Sequence, residues 1–133
     1  MPARRRHSSV QGMAPRSLVL KVTAGKDDPE RCNQALTVAA AAAASGVPVS
    51  LWLTGEASWF ATPNGVVDLA LPYATPAGEL LETVLKGGIV TLCSQCAARR
   101  MITDADLLDG VRIAGATTFV AEIMADGAQA LVY

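Results

Sequence analysis

Histidine is nearly missing from this chain: the single one, His7, sits close to the N-terminus. The remaining sequence therefore has no imidazole base for a Ser–His–Asp or Cys–His hydrolase. Cysteine is sparse as well, with only Cys32, Cys93 and Cys96. A structural zinc site takes four ligands, and these three with a distant histidine make a poor set, so no metal is expected. No Gly-x-Gly-x-x-Gly occurs, and Ala24-Gly25-Lys26-Asp27-Asp28 has a Gly-Lys pair without the spacing of a phosphate-binding loop. No nucleotide or other cofactor is expected. No stretch reaches the ~18 apolar residues that would span a bilayer, and the span from Ser8 to Ser17 supplies no apolar signal-peptide core. These absences lead to the expectation of a cytoplasmic protein with no membrane partner. Basic charge is not in excess either. Of 11 basic residues three are Arg4, Arg5 and Arg6, and the others face 12 acidic ones. That balance gives no field for nucleic acid, which is not expected as a partner.

The length of 133 residues suits one domain. Residues 1–16 are polar, basic and punctuated by proline, and are expected to be a disordered tail. Met13-Ala14-Pro15-Arg16 offers a second possible translation start. From residue 17 the pattern is of buried strands alternating with helices. Leu18 to Thr23, Val49 to Leu53 and Ile89 to Leu92 are β-prone and almost continuously apolar, as strands covered on both faces are. Asp28-Pro29 is a helix start, and Gly46 with Pro48 beyond it is the stop. Its stripe is Cys32, Leu36, Ala39, Ala40 and Ala43. A helix from Thr75-Pro76 closes at Gly87-Gly88.

The span from Thr54 to Thr75 is irregular, with a short helix near Glu56–Phe60 and a turn at Asn64-Gly65. Trp59 and Phe60 within it are candidates for a lid, an oligomer contact or a cover for the sheet edge. Val111 to Ile113 is a short strand or linker, and Ala128 to Tyr133 is a last strand. An amphipathic helix from Gly115 to Met124 is expected to turn Phe119, Val120, Ile123 and Met124 to the core. The fold class implied is α/β: a single-domain, Rossmann-like three-layer sandwich with a mainly parallel sheet of about five strands.

In such sheets ligands gather beyond the carboxyl ends of the strands. There the sequence places Cys93-Ser94-Gln95-Cys96, followed by Arg99 and Arg100. A thiol at a helix start faces unpaired N–H groups, and guanidinium groups nearby add positive charge; both favour the nucleophilic thiolate. Cys93 and Cys96 are the candidate catalytic residues, with Ser94, Gln95, Arg99 and Arg100 in supporting or substrate-binding roles. Three chemistries could use the pair: dithiol–disulfide exchange, zinc binding and persulfide transfer. Two cysteines acting only as small apolar residues is the plain alternative. Cys32 shares a helical stripe with Leu36 and is expected in the core. Asp104, Asp106 and Asp109 fit the acidic start of a helical turn better than a metal site.

The segment from Ile89 onward, with Cys93, Cys96, Arg100, Asp109-Gly110-Val111 and Ile113, resembles the DsrE/DsrF-like family. The resemblance spans about Ser17 to Tyr133, and its C-terminal half is the specific part. It implies one α/β domain that assembles as trimers or hexamers with the cysteine near subunit interfaces. In sulfur-relay members the cysteine leading this loop carries persulfide sulfur, and the matching residue is Cys93. Cys96 matches a second cysteine present in only some members. Where many members have Arg-Gly, this chain has Arg100-Met101, and loss of that glycine is expected to alter the turn. The resemblance thus implies a persulfide carrier or sulfurtransferase subunit, with a sulfur donor or acceptor protein as partner. A binding module of another kind, and a Cys93/Cys96 redox switch, stay open beside it, as does whether the chain turns over as an enzyme.

Overall fold

The computed structural model describes residues 16–133. The basic tail, His7 and the alternative start at Met13 lie outside the described residues. Five strands, β1 (Ser17–Val22), β2 (Val49–Leu53), β3 (Ile89–Cys93), β4 (Val111–Ala114) and β5 (Ala128–Val132), form one sheet. Their order is β4-β3-β2-β1-β5. Every neighbouring pair is parallel. This is the α/β sandwich expected from the alternation of strands and helices. Val111 to Ile113, left between strand and linker by the sequence, is an edge strand. β2, at the centre, is buried at all five positions; a strand covered on both faces reads as an apolar run rather than as alternation.

Helices α1 (Pro29–Ala44) and α2 (Ala77–Gly87) cover one face. Leu18, Leu20, Val22, Leu51, Leu53, Val90 and Leu92 from the strands join Cys32, Leu36 and Ala39 of α1 and Leu81 and Val84 of α2 in one core cluster. The small side chains of the α1 stripe let that helix lie close to the sheet and to α2. Asp28 caps α1, its Oδ1 accepting from the Arg31 N–H at 3.3 Å. At the far end the N–H groups of Gly46 and Val47 bond back to the carbonyls of Ala43 and Ala42. Gly46 carries the left-handed φ of 85° that this helix-ending motif requires.

The other face is different in kind. Its residues include Lys21, Ser50, Trp52, Thr91 and Arg112, and four of the five strands contribute to a row Lys21–Trp52–Thr91–Arg112. After the short α3 (Ser94–Arg99) that follows β3, α4 (Ala116–Ile123) packs on this face through Phe119 and Glu122. Trp52 meets the Phe119 ring edge-on at 5.2 Å. Glu122 accepts hydrogen bonds from Ser50 Oγ at 2.6 Å and Trp52 Nε1 at 2.9 Å, and pairs with Arg112. This corrects the expected orientation of the helix. Phe119 and Ile123 are half-buried, but Val120 and Met124 face outward, Met124 being 75% exposed. The sheet under α4 offers polar partners, so the helix docks through Phe119 and Glu122 rather than through an apolar stripe. Among the described residues no helix is long and apolar enough to cross a membrane.

Candidate functional site

Cys93 is the last residue of β3 and the N-cap of α3. Thr91 belongs to the polar row, so Cys93, two residues further on, points to that same face at the carboxyl edge of the sheet. Its thiol is half-buried, while Cys32 and Cys96 are buried. Partial burial alone would push the Cys93 thiol up. The backbone N–H of Cys96, then that of Gln95, the Cys96 side chain and the Lys21 ammonium act against this, and the net result lies below the ordinary thiol value. The strand end thus presents a sulfur atom to the first N–H groups of a helix, the arrangement that stabilises thiolate.

Cys96 sits one helical turn on, facing inward. The Gly55 N–H is directed at its sulfur at 3.4 Å. Gly55 has a φ of 53°, and a side chain there would come within 2.4 Å of the Thr23 carbonyl oxygen. Only glycine fits that backbone, which brings the loop after β2 against α3. Cys32 is a different thiol: burial, then Asp27 and Asp28, push it up to about 12. It is a core residue, as its stripe indicated.

The supporting residues separate. Ser94 is half-buried beside the chain leading into α4, where a side chain at Gly115 would meet its Oγ at 3.1 Å. Gln95 and Arg99 are exposed. Arg100 turns away from Cys93 to Glu56, donating from Nη2 at 2.9 Å, and also reaches the Cys96 carbonyl oxygen at 3.3 Å. The one cation that contributes to lowering the Cys93 pKa is Lys21, after the N–H groups. The sequence did not single out Lys21 or Glu56. Lys21 carried one local signal, as a charged residue interrupting the apolar run of β1.

The turn after α3 forms without a glycine. The N–H groups of Met101 and Ile102 bond to the carbonyls of Ala98 and Ala97, the pattern seen at the end of α1. Met101 takes the left-handed φ of 58° that Gly46 takes there. A non-glycine residue in this conformation places backbone strain at Met101. Asp106 closes the following turn, accepting from the Thr103 N–H at 2.8 Å and its hydroxyl at 3.0 Å. That capping holds its carboxyl below the usual range and fits the helical-turn reading of the acidic cluster.

Phe60 is buried in the core and, with the more exposed Trp59, lines a cavity of about 600 Å³ together with Lys26, Glu56, Arg100 and Met101. Neither Cys93 nor Cys96 lines that cavity, so the space that these two rings border is separate from the thiol.

A model of the DsrE/DsrF-like family matches residues 16–133. No curated protein matches the chain. Among solved structures it is similar to the ychN protein from E. coli, with a TM-score of 0.65 and 17% identity over 89% of this chain and 99% of that one. It is also similar to MTH1491 from Methanobacterium thermoautotrophicum, a protein of unknown function, with a TM-score of 0.59 and 16% identity over the same shares. At these identities the likeness is one of fold.

Proposed function

Since the chain belongs to the DsrE/DsrF-like family, a family associated with sulfur relay, we propose that it is a persulfide carrier or sulfurtransferase subunit working through Cys93. The observation that carries this reading is the position of the Cys93 sulfur: half-exposed at a strand end, over the N–H groups of Gln95 and Cys96, with its pKa drawn down. In the step proposed, the Cys93 thiolate attacks the outer sulfur of a persulfide donor. The donor's S–S bond breaks, a new S–S bond forms on Cys93, and the donor leaves as its thiolate. An acceptor nucleophile then takes the outer sulfur and returns Cys93 to thiolate. The lowered pKa of Cys93 favours the thiolate that this step needs.

Substitution tests the assignment. Cys93→Ser abolishes loading from a sulfane-sulfur donor, whereas Cys96→Ser retains it; loading of Cys93→Ser at the wild-type level contradicts the proposal. The closeness of Cys96 to Cys93 supports a second reading, a dithiol switch, in which both substitutions are equally damaging and oxidation joins the pair.

Self-association as a trimer or hexamer belongs to the same proposal. Val120, Met124 and Val132 are exposed beside the half-covered face of the sheet, and Ile89 at the start of β3, an apolar surface that a second copy suits. Light scattering at a monomer mass contradicts that part. A sulfur donor or acceptor protein and a cytoplasmic setting, where thiols stay reduced, complete the reading.

A further inference from the structure

The sequence offers Arg99 and Arg100 as the positive charges near Cys93, yet the structure engages Arg100 with Glu56 and leaves Arg99 exposed. The polar face below the thiol carries three charged side chains. Arg112, on β4, and Glu122, on α4, pair with each other. Arg112 also donates to Thr91 Oγ1 at 2.7 Å. Lys21, on β1, has no carboxylate partner among the described residues. Its Nζ lies over the Phe119 ring, 4.3 Å from the centroid. Phe119 sits in the first turns of α4, whose leading residue Gly115 abuts Ser94. The other titratable group close to Cys93 is the Cys96 thiol, on α3.

We propose that Lys21 is the positioning cation of the Cys93 site: seated on the Phe119 ring, it presents an unneutralised ammonium to the thiol and to anionic sulfane-sulfur donors approaching it. The aromatic face holds the ammonium without cancelling its charge, as a carboxylate would. The Arg112–Glu122 pair alongside is nearly neutral as a unit, so Lys21, in register with Thr91 on the face to which Cys93 points, is the uncompensated side-chain charge there; it adds to the helix N–H groups, which act on the thiol more strongly. The substrate class follows: a small or protein-borne donor that carries negative charge at the end holding the sulfur to be transferred, such as a persulfide or thiosulfate. The donor part rests on the proposed sulfur chemistry; the charge part rests only on Cys93 being the reactive thiol.

The test compares wild type with Lys21→Met, Lys21→Arg and Arg100→Gln, using iodoacetate and iodoacetamide as anionic and neutral probes of Cys93 across pH. Lys21→Met keeps the length and the contact with Phe119 while removing the charge. It is expected to move the midpoint of alkylation to higher pH and to lower the iodoacetate-to-iodoacetamide rate ratio several-fold. Lys21→Arg and Arg100→Gln are expected to leave both near wild type. An unchanged midpoint and ratio in Lys21→Met overturn the proposal. So does an equal change in Lys21→Met and Lys21→Arg, since charge would then not be the cause. Lys21→Gln takes the place of Lys21→Met if the latter does not fold. Thiosulfate as sulfur donor supplies the last arm. Loss of loading in Lys21→Met with retention in Lys21→Arg supports the donor class, whereas failure of wild type to load refutes the sulfur reading and leaves the charge assignment to be decided by the alkylation data.

Discussion

Glu122 holds α4 to the sheet, and its removal has a calculable cost. Its carboxylate accepts from Ser50 Oγ and Trp52 Nε1 and pairs with Arg112. Trp52 is 1% exposed and Ser50 is buried, so Glu122→Ala leaves the indole N–H without its acceptor. A buried donor stranded in this way costs about 1–3 kcal/mol. The Ser50 hydroxyl can rotate, and its loss adds about 1 kcal/mol. Arg112 retains Thr91 Oγ1 and is 41% exposed; solvent therefore screens its pair, which contributes less than about 1 kcal/mol. The expected loss is about 2–5 kcal/mol, read by urea denaturation at neutral pH.

The pH dependence has a definite sign. Partial burial would raise the Glu122 pKa, but the hydrogen bonds from Ser50, Trp52 and Arg112, with the Arg112 charge, hold it below the ordinary carboxylate value. A depressed carboxyl contributes stability that is complete above its unfolded value and fades as pH falls through its folded one. Glu122→Gln should therefore flatten the acid limb of the stability curve. A Glu122→Ala protein within about 0.5 kcal/mol of wild type at pH 7, the usual range for inconsequential surface changes, would refute the reasoning.

The other predictions concern the backbone and the remaining thiol. Met101→Gly relieves a left-handed residue that is 85% exposed and loses little packing; it should stabilise the protein by about 1 kcal/mol in denaturant unfolding, and destabilisation would contradict the strain. Gly55→Ala forces a side chain toward the Thr23 carbonyl at a positive φ; a melting temperature equal to wild type would contradict that contact. Cys32, buried and with a raised pKa, should resist alkylation in native protein and react only on unfolding, as peptide mapping would show.

The strands were readable because burial on both faces makes each a continuous apolar run, and α1 because Asp28-Pro29 and Gly46 mark its ends. The position of Cys93 followed from the same local logic: a buried strand ends and a helix starts. What could not be read depends on strand order. Lys21 reaches the neighbourhood of Cys93 only because β1, β2 and β3 lie side by side. Glu122 falls three residues after Phe119 and can be recognised as an anchor only once Ser50 and Trp52 are known to lie beneath it. Arg100 looked free for the thiol because Glu56, in an irregular span, gave no periodic signal. Met101 keeps a glycine-type turn through contacts of Ala97 and Ile102 in the core, which local propensity does not register.

The central claim is that Cys93 carries sulfur, and intact-mass analysis after incubation with a sulfane-sulfur donor, with differential alkylation to locate the adduct, tests it most directly. A gain of ~32 Da on Cys93, one sulfur added to the thiol, is expected. A loss of ~2 Da joining Cys93 to Cys96, or no mass change under conditions that load a control persulfide carrier, would contradict it.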